Sequence, residues 1–184
     1  MIPLSPEFLS KYALQQNPKE FAALLKIASE CRSILEIGSC LGGSTVELAH
    51  AMPKGSRIIA IDLCKPKKFP TDLDVEAYLM GRVDELRAEG YDAHLIVGDS
   101  KEPIIAMAAQ SLAPFDLVFI DGDHSQEGCS ADWLSYGHLG KIVAFHDIKG
   151  CPGVTTVWNE LKTKYRTQEY IEGRDMGIGV LWRE

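Results

Sequence analysis

No run of this 184-residue sequence approaches the roughly 18 uninterrupted apolar residues that a membrane-spanning helix needs. Its five cysteines, Cys31, Cys40, Cys64, Cys129 and Cys151, include no Cys-x-x-Cys pair and are odd in number. In a chain this long they exclude a disulfide-framed module and suit reduced thiols in a cytoplasm. The segment MIPLSPEFLSKYALQQ has neither a basic start nor a continuous apolar core, so no targeting away from the cytoplasm is expected. Basic charge is scarce as well. Nineteen Lys and Arg stand against 26 Asp and Glu, a formal net charge of -7, which argues against a nucleic-acid partner because phosphate binding draws on clustered cations. The short run Lys65-Pro66-Lys67-Lys68 reads as a solvated loop. Internal repeats, low-complexity tracts and linkers are also missing. One domain over residues 1–184 is therefore expected, with N-terminal helices in 1–32 and a core in 33–184.

What is present is a regular series of short, β-rich apolar runs: Ser33 to Gly38, Arg57 to Asp62, Ala93 to Gly98, Phe115 to Asp121 and Lys141 to Asp147. Several are nearly continuous rather than alternating, the pattern of strands covered on both faces. Helical spacing fills the gaps at Gly43 to Ala51, Val75 to Glu89, Lys101 to Leu112 and Ser125 to Leu139, and flanks the series at Pro18 to Cys31 and Gly153 to Lys164. Two further β-type runs, Tyr165 to Ile171 and Met176 to Trp182, are separated by Glu172-Gly173-Arg174-Asp175, a composition that suits a hairpin turn. The expected fold is α/β: a doubly wound, mostly parallel sheet of seven strands with an antiparallel C-terminal hairpin.

In such a sheet, ligands sit beyond the carboxyl ends of the strands, and here those ends are polar. The first run leads into Gly38-Ser39-Cys40-Leu41-Gly42, whose glycines let the backbone turn tightly beside a ligand. The spacing is G-x-x-x-G rather than the dinucleotide G-x-G-x-x-G, which disfavours a nicotinamide-dependent oxidoreductase. The second run ends in Asp62, suited to accept from both ribose hydroxyls, or to serve as a turn former. After the third, Asp99 can accept from an adenine amino group while Ser100 caps the next helix. The fourth and fifth end in Asp121-Gly122-Asp123-His124 and His146-Asp147, acidic clusters on strands roughly 5 Å apart that can close on one cation. Magnesium suits the carboxylates, and mixed His ligands also admit manganese, iron or zinc. Alternatively, Asp121 holds a cationic cofactor tail and Asp147 caps a turn. His124 is the first choice of general base, with His146 and Lys149 as rivals. His50, His94 and His138 read as structural, and Trp133, Trp158 and Trp182 as core.

Taken in order, Glu36-Ile37-Gly38-x-x-x-Gly42-x-Ser44, then Asp62, Asp99 and Phe115-Asp116-Leu117-Val118-Phe119-Ile120-Asp121, resemble the class I S-adenosylmethionine-dependent methyltransferases, with their Rossmann-like sheet. The catechol and caffeoyl-CoA O-methyltransferases are the similar groups. Ile120-Asp121-Gly122-Asp123-His124-Ser125, Ala144-Phe145-His146-Asp147 and Pro152-Gly153-Val154 further resemble bacterial macrolide-sugar and cephalosporin-biosynthesis methyltransferases. The likeness spans roughly Ser33 to Trp182. It implies a methyl transfer from S-adenosylmethionine to a small hydroxylated acceptor, assisted by a divalent ion such as magnesium or manganese. Cofactor contacts fall to Glu36, Gly38, Ser39, Gly42, Ser44, Asp62, Leu63, Asp99, Ser100 and Asp121, and metal contacts to Asp121, Asp147 and His146. The catechol and caffeoyl-CoA groups place Asn after their second metal Asp. Ile148 stands there instead, leaving the third ligand open between Asp123, His124 and His146. About 30 residues precede the first strand, little for a substrate lid, so a pocket completed across a homodimer is in keeping with the sequence. A binding protein without turnover is the alternative from a different class.

Overall fold

The computed structural model describes residues 16–65, 73–172 and 176–183. Seven strands form one sheet in the order β3-β2-β1-β4-β5-β7-β6. They are β1 (Ser33–Ile37), β2 (Arg57–Asp62), β3 (Asp92–Val97), β4 (Phe115–Ile120), β5 (Gly140–His146), β6 (Arg166–Tyr170) and β7 (Ile178–Trp182). Strands β1 to β5 run parallel, whereas β7 is antiparallel to both β5 and β6. The expected parallel sheet with its antiparallel C-terminal hairpin is thus observed. Residues 173–175 of the expected turn, the N-terminal segment before residue 16 and Pro66 to Lys68 of the basic run lie outside the described residues.

Side-chain parity divides the core between the two sheet faces. Leu35, Ile37, Ile59, Ile61, Val118 and Ile120 point to one side. Ile34, Ile58, Leu117 and Phe119, one residue out of step, point to the other. The first side is covered by α4 (Pro103–Gln110), α5 (Gln126–Tyr136) and α6 (Pro152–Leu161), and the second by α1 (Pro18–Ala28), α2 (Gly43–Ala51) and α3 (Val75–Ala88). No helix among the described residues is long and apolar enough to cross a membrane.

Helix starts follow local chemistry. The Asn17 side chain accepts from Lys19 N at 2.9 Å ahead of α1, and Pro18 fills a position where no helical N–H is needed. One expectation fails here. Ser100 does not cap the helix after β3; α4 begins at Pro103 with Glu102 at the N-cap and no side-chain cap, because proline's fixed φ and missing N–H favour the first helical turn. The buried Glu20 of α1 accepts from Glu172 N at 2.7 Å and Gly177 N at 3.1 Å, pinning both ends of the β6–β7 connection.

The sheet order reverses at β1. The chain steps outward through β2 and β3, then returns to place β4 on the other side of β1. At that switch point Gly38 N donates to Ile61 O and Asp121 N to Ile37 O, each at 2.8 Å, stitching the ends of β1, β2 and β4 together. Ligand sites form at such points because the loops diverge there.

Candidate functional site

A cavity of about 850 Å³ opens over the carboxyl ends of the parallel strands, walled by Gly38, Asp62, Asp99, Asp121, His124 and Asp147 among others. Gly38 and Gly42 both adopt left-handed φ, at 87° and 75°. A Cβ on Gly38 would stand 2.2 Å from Asp121 O and 2.7 Å from Gly122 Cα, so only glycine lets β1 turn this close to the end of β4.

Asp62 holds the turn. Its Oδ2 accepts from Ser39 N at 2.9 Å and Cys40 N at 2.8 Å, and its Oδ1 accepts from Cys64 N at 2.7 Å. A carboxylate offers about four acceptor positions, so Asp62 keeps room for one further donor at the cavity, where the sequence suggested both ribose hydroxyls. The amides of Ser39 and Cys40 are accordingly turned onto Asp62.

Two residues expected among the cofactor contacts, Glu36 and Gly42, do not line the cavity. Gly42 backs onto α3, where a Cβ would meet Leu79 Cδ1 at 2.8 Å. Glu36 is fully buried on the opposite sheet face, sharing the parity of Ile34, and accepts from Ser39 Oγ at 2.8 Å and from Thr45 Oγ1. It ties the turn to α2 from beneath. Burial pushes its carboxyl up to about 7 against the hydroxyls of Ser44, Thr45 and Ser39, and its Oε1 has no hydrogen-bond partner.

The raised value fixes a sign. Between pH 4.5 and 7 the folded protein holds a Glu36 proton that the unfolded chain releases, so the contribution of Glu36 to stability falls as pH rises through that window and is constant above it. Integrated, the loss is on the order of 3 kcal/mol. Urea unfolding at pH 5 and pH 8 should show a fall smaller by about this amount in Glu36→Gln than in the wild type, the losses from the raised Asp132 and His146 being common to both. Equal falls in both proteins would contradict the assignment.

The remaining expected cofactor contacts, Gly38, Ser39, Ser44, Asp62, Leu63, Asp99, Ser100 and Asp121, are all at the cavity wall. The Ser39 hydroxyl turns inward to Glu36, and Asp99 Oδ1 accepts from Lys101 N at 3.0 Å.

At the far end, β4 and β5 deliver a closed ring of two carboxylates and two imidazoles. His146 Nδ1 lies 3.3 Å from Asp121 Oδ1 and 3.0 Å from Asp147 Oδ1. His124 Nε2 lies 3.4 Å from Asp121 Oδ1 and 3.2 Å from Asp147 Oδ2. Asp147 reaches this position with φ at 61°, an unusual conformation for a non-glycine residue and more tolerable for Asp than for most. Burial opposes ionisation of Asp121, but the imidazoles of His146 and His124 hold its carboxyl down at about 2. Burial would lower His146, but the Asp121 and Asp147 carboxylates lift it to about 10. His124 is raised, chiefly by its hydrogen bond to Asp121 against the cost of burial.

Asp121, His146 and Asp147 each offer one ligand atom, all within 4.8 Å of one another, and His124, Asp147 and Cys151 form a second such group. Two carboxylate oxygens crowding one ring nitrogen is a spacing that one cation can bridge. Of the three residues left open as a third ligand, His146 joins the pair of aspartates. Asp123 does not: its Oδ1 accepts from Ser125 N at 3.0 Å and its Oδ2 from Lys101 Nζ at 3.1 Å, at the start of α5.

Three residues at or behind this wall carry no motif. Gln16 donates through Nε2 to Asp121 Oδ2 at 2.7 Å. Cys151 Sγ lies 3.8 Å from His124 Nδ1. Asp132 is fully buried on α5 behind Gly122, neither oxygen has a hydrogen-bond partner, and burial pushes it up to about 6. Its place between the buried Cys129 and Tyr136 on one helix face was the available signal.

The family model described as methyltransferase domain matches residues 35–148, the stretch from β1 through the end of β5 that builds this cavity. The chain belongs to that methyltransferase family. A catechol O-methyltransferase of Mycobacterium tuberculosis is 29% identical over 142 residues, covering 76% of this chain and 59% of that protein. A catechol O-methyltransferase of Niastella koreensis is 26% identical over 111 residues, covering 60% of this chain and 46% of its own length. The chain thus spans about half the length of the curated relatives it matches. The crystal structure of an O-methyltransferase from Bacillus cereus in complex with SAH shares the fold at a TM-score of 0.66 and 17% identity, over 92% of this chain and 83% of that one.

Proposed function

We propose that this methyltransferase moves a methyl group from S-adenosylmethionine to the hydroxyl of a small molecule. In this reading Asp121, His146 and Asp147 hold a divalent cation and His124 accepts the proton. The observation that carries it is the ring of two carboxylates and two imidazoles opening into the same cavity as Gly38, Asp62 and Asp99. The names of the catechol O-methyltransferase relatives support oxygen as the acceptor atom.

S-adenosylmethionine, when bound, supplies a methyl already activated on a sulfonium, and the cation would lower the pKa of the acceptor hydroxyl. The chain then has to position and deprotonate. Gly38 brings the β1 turn against the methionine end, Asp62 keeps one acceptor position for a ribose hydroxyl, and Asp99 and Ser100 border the adenine end. Asp121 and Asp147 fix the Nε2 side of His124, as a carboxylate orients the base of a catalytic triad. His124 Nδ1, on the Cys151 side, is left to take the proton. The cavity volume lies within the range of small-molecule sites, so an acceptor sharing it with the cofactor is small. An imidazole beside two carboxylates suits manganese better than magnesium, which prefers oxygen alone.

The test is transfer of labelled methyl from S-adenosylmethionine to a panel of catechols and other small hydroxylated acceptors in the presence of manganese. Label on an acceptor oxygen, lost on chelation, is expected. Cofactor binding with no transfer to any of them would leave a binding protein without turnover.

A further inference from the structure

Gln16 is 105 residues from Asp121 in sequence, yet its side chain is buried and donates to the Asp121 carboxylate. The other end of the same amide, Oε1, is buried with no hydrogen-bond partner, although Gln16 is part of the cavity wall. A buried acceptor is normally paired, so an unpaired one beside a site suited to a cation needs an account.

We propose that Gln16 is a further ligand of the cation, through Oε1. This rests on the cation reading above and adds a neutral oxygen to Asp121, His146 and Asp147. The two ends of a primary amide are nearly the same size and exchange places by rotation about the terminal torsion. With no cation beside it, Asp121 Oδ2 needs a donor, and Nε2–H supplies one. Once a cation satisfies that carboxylate, the donor is no longer required, and the rotated amide can direct Oε1 at the cation. Neutral amide oxygens are ordinary ligands for hard divalent ions. Gln16 also directly precedes the Asn17 cap of α1, so its position is fixed by a helix start.

The deciding experiment follows manganese binding to the protein by electron paramagnetic resonance, which requires neither acceptor nor turnover. Circular dichroism confirms that each variant is folded. Gln16→Ala should weaken manganese binding roughly 10- to 100-fold. Gln16→Glu keeps an oxygen in place but loses the N–H donor, so it should bind at least as tightly as the wild type. Two results would overturn the assignment: Gln16→Ala within about twofold of the wild type, or Gln16→Glu as weak as Gln16→Ala, which would make Gln16 only a donor to Asp121. No manganese binding by the wild type would instead remove the cation reading and this ligand with it.

Discussion

Replacing Asp147 by alanine should lower methyl transfer by at least about 100-fold, because in the proposed mechanism one side chain serves both the proton acceptor and the cation position. Its Oδ1 faces His146 Nδ1 and its Oδ2 faces His124 Nε2. Removing it deprives His124 of one of its two carboxylate neighbours and leaves Asp121 as the only carboxylate of the group that includes His146. Cofactor affinity should change far less, by under about tenfold. Gly38, Asp62 and Asp99 sit at the ends of β1, β2 and β3, whereas Asp147 follows β5 on the other side of β4. Asp147→Asn separates charge from shape: it tolerates the left-handed backbone and fills the same space, yet should lose nearly as much activity. Steady-state rates paired with calorimetric cofactor titration check both halves. Transfer by Asp147→Ala within a few-fold of the wild type would contradict the roles given to this residue.

Gly38→Ala is the second large expectation. Its Cβ would meet Asp121 O at 2.2 Å, Asp121 C at 2.6 Å and Gly122 Cα at 2.7 Å, all of them main chain. A flexible side chain could step aside, but these atoms are held by the bonds from Gly38 N to Ile61 O and from Asp121 N to Ile37 O. Opening the gap therefore breaks the ladder at the switch point. Overpacking together with left-handed strain should cost about 3 kcal/mol or more, a fall in Tm of about 6–12 °C for a chain of this size, with loss of cofactor binding. Gly55 is the internal control. It has a similar φ of 79° but nothing within 4 Å of an added Cβ, so Gly55→Ala should cost only about 1–2 kcal/mol. Thermal unfolding of the two variants side by side separates the effect of space from that of φ, and equal falls would contradict the close-approach argument.

The strand ends were legible because the chemistry of a doubly wound sheet is collinear with its sequence. Each apolar run is followed at once by the residues it presents, so Gly38, Asp62, Asp99, Asp121 and Asp147 could be placed before any contact was known. The parity of Glu36 is also in the sequence, but the resemblance put this residue among the cofactor contacts, whereas it alternates with Leu35 and Ile37 and points to the α2 side of β1. Contacts between distant segments were not legible. That Asp62 spends three acceptor positions on the amides of Ser39, Cys40 and Cys64 depends on how two loops meet. Gln16 reaches Asp121 only because α1 packs beneath the same sheet, and nothing in its neighbours signals it. Asp123 stands apart from the group of Asp121, His146 and Asp147 because Ser125 and Lys101 engage it at the start of α5. His146, by contrast, comes at the end of a parallel strand, beside the carboxylate it faces.

Calorimetric titration of the protein with S-adenosylmethionine tests the central claim most directly, since the methyl transfer proposed for the cavity depends on that cofactor entering it. One site per chain with a Kd below about 1 mM, abolished by Gly38→Ala, is the predicted result. No detectable binding at millimolar S-adenosylmethionine would contradict it.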